Sequence, residues 1–294
     1  MNVSGSKIAF IGTGVMGASM AGHLQKAGAH ISVYNRTKEK AAALVADGAS
    51  WADTPAQAAQ GAAIVFTMVG YPADVEAVYF GSGGIFETAA KGTILVDHTT
   101  SDPALAVRIA AEAASRGLVA LDAPVSGGDL GARNATLTIM VGGDQAAFDA
   151  VKPFFDIMGK TVILQGGPGA GQHTKMSNQI AIAGTLAASV EAIVYAEKAG
   201  LDPRRVLQSI GGGSAQSWQL QNMVPRMLDG NFEPGFYAKH FLKDLRIALD
   251  ASRHMEIKLP VLEMAERFFT GMSEKGYQDK GTHALYLMYK DGLL

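Results

Sequence analysis

Lys175 has the clearest claim to chemistry in this chain. It stands in Gly169-Ala170-Gly171-Gln172-His173-Thr174-Lys175-Met176-Ser177-Asn178-Gln179, at the start of a long, mostly apolar segment. On a helix, Gly171, Lys175, Asn178 and Gln179 share one face at i, i+4, i+7 and i+8 spacing. A lysine there is unfavourable to bury unless it has partners or a task. An ammonium so placed can give a proton to a carbonyl oxygen as hydride reaches the carbon, especially if its surroundings lower its pKa. The same residues also fit a lysine whose stem snorkels along apolar neighbours.

Two further segments can hold a ligand. Asp122-Ala123-Pro124-Val125-Ser126-Gly127-Gly128-Asp129 follows a strand-like run. Ser126 with the N–H groups of Gly127 and Gly128 fits an anion-binding concavity for a carboxylate, and equally a plain glycine turn. Asp97-His98-Thr99-Thr100-Ser101-Asp102-Pro103 also follows a strand, at the end where open α/β sheets bind ligands. Its hydroxyls, Thr100 among them, can face such a ligand, while Ser101 or Asp102 can cap a helix opening at Pro103.

A fourth segment, Gly12-Thr13-Gly14-Val15-Met16-Gly17, lies between a strand-like run and a helical one. In that setting Gly12 permits a tight turn, Gly14 lets backbone approach a pyrophosphate, and Gly17 allows close helix–strand packing. The helix N-terminus adds unpaired N–H groups and partial positive charge. A dinucleotide is the expected ligand, with Thr13, Val15 and Met16 beside the glycines, and with Met68 and Val69 from the run 63–69. The second strand ends in Asn35-Arg36-Thr37, where an NAD site usually has Asp or Glu. A carboxylate would repel a 2′-phosphate, whereas Arg36 can grip one and Thr37 can donate to it. The expected cofactor is NADP rather than NAD.

The elements that must position these residues follow from apolar period. Runs at 7–11, 30–34, 63–69, 93–97, 118–122, 136–141 and 161–164 read as strands. Helical spacing covers 16–27, residues after Pro72, 103–116 and 144–158. This alternation predicts a doubly wound α/β domain over 1–165. Gly166-Gly167-Pro168-Gly169-Ala170-Gly171 marks a break. A long helix over 172–199 is expected next, then helices after Asp202-Pro203 and over 216–228, 238–254, 260–274 and 282–289. The region 166–294 is thus an all-helical domain reached through an interdomain helix. Trp218, Phe236 and Phe241 can shape a pocket there or simply fill its core.

The 294 residues are 48% hydrophobic and 18% charged with a net charge of -2, which suits a well-buried enzyme and disfavours nucleic-acid binding. Without cysteine there are no disulfides or thiolate metal sites, and the seven histidines show no ligand spacing, so no metal is expected. No unbroken apolar run approaches about 20 residues, and no targeting signal is evident at the N-terminus, so no membrane association is expected and the expected compartment is the cytoplasm.

Taken in order, the glycine loop, 97–103, 122–128, 169–179 and Phe241-Leu242-Lys243-Asp244-Leu245 resemble the β-hydroxyacid dehydrogenase family across essentially the whole chain. That family includes 3-hydroxyisobutyrate dehydrogenase, tartronate semialdehyde reductase, glyoxylate and succinic semialdehyde reductases and, more distantly, 6-phosphogluconate dehydrogenase. The resemblance implies a Rossmann domain and a helical domain for substrate binding and oligomerisation, hence a homodimer or homotetramer. It implies Lys175 as the catalytic residue, with Ser126, Gly127 and Gly128 on the carboxylate of a small acid. Thr100 would lie near the nicotinamide, and Lys243 would touch substrate and cofactor. The charge of Lys243 is expected to depress the pKa of Lys175. Many members have Asn where this chain has Gln179, which leaves Asn178 or Gln179 as the substrate contact. Tyr286 and Lys290 match the Tyr-x-x-x-Lys spacing of short-chain dehydrogenases, but lie far along the chain from the nucleotide loop. Ser126 lacks a hydrolase elbow, and imine reductases usually carry Asp or Tyr in place of Lys175. The rival from another class is a non-catalytic dinucleotide sensor.

Overall fold

Strand β1 (Lys7–Ile11) sends Ile8 and Phe10 to one face of a sheet and Ala9 and Ile11 to the other, and all four are buried. A strand covered on both faces is apolar at every inner position, which is why this run lacks alternation. The computed structural model describes residues 1–293. From β1 the chain passes through α1 (Val15–Lys26), β2 (His30–Tyr34), α2 (Ala42–Ala46), β3 (Ser50–Trp51), α3 (Pro55–Ala59) and β4 (Ile64–Thr67). Then come α4 (Pro72–Phe80), β5 (Ile94–Asp97), α5 (Pro103–Ser115) and β6 (Val119–Asp122). These strands are parallel, in the order β3-β2-β1-β4-β5-β6. Strand order reverses between β1 and β4, and that is where a Rossmann sheet opens its crevice for a ligand.

Beyond β6 lie β7 (Val125–Ser126), α6 (Gly128–Arg133), β8 (Leu137–Gly142), α7 (Gln145–Met158) and β9 (Gly159–Gly166). β6 and β7 face β8 in one antiparallel register, Asp122 opposite Gly142 and Ser126 opposite Thr138, and β9 pairs with β8 in parallel. Elements α2, β3, α3, β7 and α6 are not foreshadowed by the apolar pattern, because segments of two to six residues are too short to show a period.

Two cores hold this unit together. Phe10 and Phe66 pack with Met20, Leu24, Phe154 and Phe155 on one face, and Val65 and Leu95 with Val75, Tyr79 and Ile109 on the other. Burying each such phenylalanine contributes about 2–3 kcal/mol.

The longest helix, α8 (Ala170–Lys198), leaves this unit at Lys175, and a second unit begins at Met176. The composition break at 165–166 precedes that division because Gly169 and Gln172 are hydrogen-bonded back to Asp122 in β6. By length and composition alone α8 is apolar enough to cross a membrane, a test that a buried core helix also passes, although its sequence holds no unbroken apolar run of that length. Gly184, Thr185, Ser189 and Glu191 interrupt the apolar residues of its middle. In the second unit, Leu186, Val190 and Ile193 of α8 are fully buried in the core.

That unit is helical: α9 (Pro203–Ile210), α10 (Trp218–Leu228), α11 (Ala238–His254), α12 (Pro260–Glu274) and α13 (Leu285–Lys290). Asp202 and Ser217 cap α9 and α10 through the N–H groups of Arg204 and Leu220. Phe241 is core, edge-on to Phe269 with centroids 4.9 Å apart, whereas Trp218 and Phe236 are exposed.

Candidate active site

The glycine loop is built for close approach. Gly12 has φ +97°, and a Cβ there would lie 2.2 Å from the Met68 carbonyl oxygen. At Gly17 a Cβ would meet the Gly12 oxygen at 1.9 Å. Gly14 differs: a Cβ would meet nothing within 4 Å, so the fold itself does not demand glycine there. No side chain caps the helix it opens, and Val15 in the first turn is 65% exposed. The Thr13 hydroxyl is buried with no hydrogen-bond partner.

Asn35 ties the loop after β2 to this one. Its side-chain oxygen accepts the Thr13 N–H at 3.0 Å and its amide nitrogen donates to the Thr37 carbonyl at 2.7 Å. Arg36 projects into solvent, its side chain 86% exposed, and pairs with Asp74 at 3.3 Å. The other Asp74 oxygen accepts the Tyr71 N–H at the start of α4. Thr37 is exposed.

At the carboxyl ends of β4 and β5 the half-buried Met68, Val69 and Thr100 flank a buried network. Asp97 accepts the Thr67 hydroxyl at 2.7 Å and the Thr99 N–H at 3.0 Å, and the Thr99 hydroxyl accepts the Val69 N–H at 3.0 Å. Burial pushes the Asp97 carboxyl up to about 6, against these hydrogen bonds. Next to it, His98 Nδ1 donates to the Ala123 carbonyl at 2.7 Å, and burial among Phe66 and Phe155 pushes the ring down to about 4. The cap of α5 is Asp102, which accepts the Ala104 N–H, and not Ser101.

Ser126 ends β7 half-buried, and Gly127 (φ +130°) and Gly128 (φ +63°) turn the chain into α6. Four residues earlier, Asp122 receives the start of α8: its two oxygens accept the Gly169 N–H at 2.7 Å and the Gln172 N–H at 2.8 Å. Burial raises the Asp122 carboxyl, opposed by these backbone N–H groups. Lys175 follows one turn later and is 6% exposed.

In the second unit Gln179 is buried with both ends of its amide engaged. It donates to Asp244 at 2.5 Å and accepts from Asn178 at 2.7 Å. Lys243 stands 3.0 Å from the buried Asp244 carboxylate. Tyr286 donates to Glu197 and Lys290 pairs with the same carboxylate. Burial, then the Glu197 bond, raises the Tyr286 phenol, so this pair suits a structural role.

A family model described as "NAD binding domain of 6-phosphogluconate dehydrogenase" matches residues 7–167, and one described as "NAD-binding of NADP-dependent 3-hydroxyisobutyrate dehydrogenase" matches residues 169–289. The chain is a β-hydroxyacid dehydrogenase family member. Among its family relatives, the probable 3-hydroxyisobutyrate dehydrogenase-like 1, mitochondrial, of Arabidopsis thaliana is 45% identical over 285 residues, 97% of this chain and 85% of its own. The 2-hydroxy-3-oxopropionate reductase of Escherichia coli (strain K12) is 40% identical over 272 residues, 92% of each chain. The solved 3-hydroxyisobutyrate dehydrogenase of Mycobacterium tuberculosis, with L-serine, superposes with a TM-score of 0.90 at 30% identity, covering 97% of this chain and 99% of its own.

A β-hydroxyacid dehydrogenase works with a nicotinamide dinucleotide, and the loop fits one: open space beside Gly14, an uncapped helix N-terminus, an exposed Val15 and an orphaned Thr13 hydroxyl. Asp122 and Gln172 lie inside the sequence motifs, but their roles come only from the hydrogen bonds they make. The signal for Gln172 was a polar side chain one turn before the lysine, directly after a glycine that only close packing explains.

Proposed function

We propose that this protein transfers hydride between NADP(H) and a short β-hydroxyacid or its semialdehyde, with Lys175 as the acid–base group. The observation that carries the reading is a lysine 6% exposed, in the early turns of a helix hydrogen-bonded to the end of the Rossmann sheet. The nicotinamide, when bound, supplies or takes up the hydride. In reduction the Lys175 ammonium gives its proton to the carbonyl oxygen, which becomes the hydroxyl; in oxidation the amine takes that proton back.

The Ser126 hydroxyl and the Gly127 and Gly128 N–H groups hold the substrate carboxylate, and Thr100, Met68 and Val69 border the nicotinamide. Asn178 is the proposed amide contact, because Gln179 is committed to Asp244 and Asn178. Lys243 completes the proposed binding set. Arg36 supports NADP over NAD: its ion pair with Asp74 is solvent-exposed and weak, so a 2′-phosphate displaces it readily. The NADP-dependent enzyme named for the second family model supports the same choice.

The test is turnover of 3-hydroxyisobutyrate, tartronate semialdehyde, glyoxylate and succinic semialdehyde with each cofactor. Lys175→Ala lowers kcat by about 10²–10⁴-fold and leaves NADPH affinity nearly unchanged. Tight NADPH binding with no turnover of any of the four would replace this reading with that of a sensor.

A further inference from the structure

The peptide units on both sides of Thr100 are hydrogen-bonded to one side chain. Gln172 Oε1 accepts the Ser101 N–H at 2.9 Å, and Gln172 Nε2 donates to the Thr99 carbonyl at 2.7 Å. All three residues are about 1% exposed, so bulk solvent does not reach these bonds. The backbone of the same turn is held from the other side, where the Gln172 and Gly169 N–H groups both end on Asp122. Between them Gly171 lies so close to the sheet that a Cβ would stand 2.4 Å from the Met140 oxygen and 2.6 Å from the Asp122 carbonyl oxygen. The first turn of α8 can therefore neither rotate nor slide without breaking buried hydrogen bonds.

Lys175 follows Gln172 by three residues, on the adjacent part of the same helix face. The clamp thus connects the two parts of the site that sequence reasoning named separately, the hydroxyl loop at Thr100 and the lysine on α8. It also continues into the sheet, since Thr99 donates its N–H to Asp97 and its hydroxyl holds Val69.

We infer that Gln172 is a positioning residue for catalysis, its side-chain amide fixing the first turn of α8, directly ahead of Lys175, against the loop that carries Thr100. The inference rests on the acid–base reading of Lys175. A misplacement of about 1 Å lowers a proton-transfer rate by about 10²-fold, so losing the clamp acts on kcat before it acts on binding. A glutamine that merely satisfied buried backbone groups would affect stability alone.

The experiment compares Gln172→Met, which keeps length but makes no hydrogen bond, with Gln172→Glu, which keeps the acceptor for Ser101 and sets a carboxylate against the Thr99 carbonyl. Lys175→Ala is measured beside them, and the probe is tartronate semialdehyde with NADPH. Both Gln172 variants are expected to lose about 10–100-fold in kcat and to shift the kcat pH profile, with NADPH Kd within about threefold of wild type. Amide exchange at Ser101 is expected to quicken in Gln172→Met. Wild-type kcat and pH profile in either folded variant, even with a lowered Tm, overturns the inference. If Lys175→Ala abolishes turnover while the Gln172 variants turn over normally, only the positioning role falls. If Lys175→Ala itself turns over normally, the acid–base reading falls with it.

Discussion

Asn35 Oδ1 accepts the Thr13 N–H at 3.0 Å, a hydrogen bond that fastens the loop after β2 to the glycine loop after β1. Asn35 also donates to the Thr37 carbonyl, so it needs both an acceptor and a donor. An aspartate keeps the first bond, repels the Thr37 carbonyl and brings negative charge to the strand end. Asn35→Asp is expected to lower the ratio of NADPH to NADH affinity by at least tenfold, whereas Asn35→Ala weakens both cofactors alike. Fluorescence titration with each cofactor measures this. An unchanged ratio in Asn35→Asp would count against NADP as the preferred cofactor.

Arg36 supplies the second half of that argument. Its guanidinium is exposed and forms a surface pair with Asp74, which contributes little to folding. Arg36→Ala should leave Tm within a few degrees and weaken NADPH binding by about 10–100-fold, the range for losing charge-assisted hydrogen bonds. NADH binding should barely change. Equal loss for both cofactors would show that Arg36 does not read the 2′-phosphate.

Asp97 and His98 are adjacent and respond to acid in opposite directions. Burial raises the Asp97 carboxyl from 3.8 to about 6, so as pH falls through 6 toward 4 the fold takes up this proton before the unfolded chain does and gains stability. Burial lowers the His98 imidazole from 6.5 to about 4, so over the same range the unfolded chain takes up the proton first and the fold loses stability. Each effect is worth about 3 kcal/mol and the two oppose each other. Removing one exposes the other. Asp97→Asn should lose up to about 3 kcal/mol more than wild type between pH 7 and pH 4, while His98→Asn should lose less than wild type. Urea unfolding at pH 4, 5.5 and 7 decides this, and parallel curves for all three proteins would refute the opposition.

Much of this was legible in sequence where period and punctuation agree. The bounds of β1, β2, α11 and α12 match their apolar runs, with Gly12 directly after β1, Asn35 directly after β2 and Pro260 opening α12. The helix expected over 144–158 is α7, which opens one residue later behind Asp144, whose side chain caps it. The candidate cofactor loop was legible for the same reason: its spacing is local. What was not legible depends on chain-distant partners. The roles of Asp122 and Gln172 arise from bonds spanning 50 and 71 residues, and no local spacing encodes them. The environment of Asp97 likewise comes from Thr67 across a neighbouring strand.

The three glycines of the loop divide folding from function, and substitution can separate them. At Gly17 an alanine Cβ falls 1.9 Å from the Gly12 oxygen, and backbone cannot move aside cheaply. Gly17→Ala should therefore lower Tm markedly or abolish folding. Gly14 has φ −70°, which alanine adopts without strain, and its Cβ would point into open space. Gly14→Ala should fold with a wild-type Tm and still lose at least tenfold in NADPH affinity, because that space is where the pyrophosphate approaches the backbone. Calorimetry and cofactor titration on the two variants give a clean contrast. Wild-type NADPH affinity in Gly14→Ala would mean that the dinucleotide does not lie against this loop, whatever the order of the strands around it.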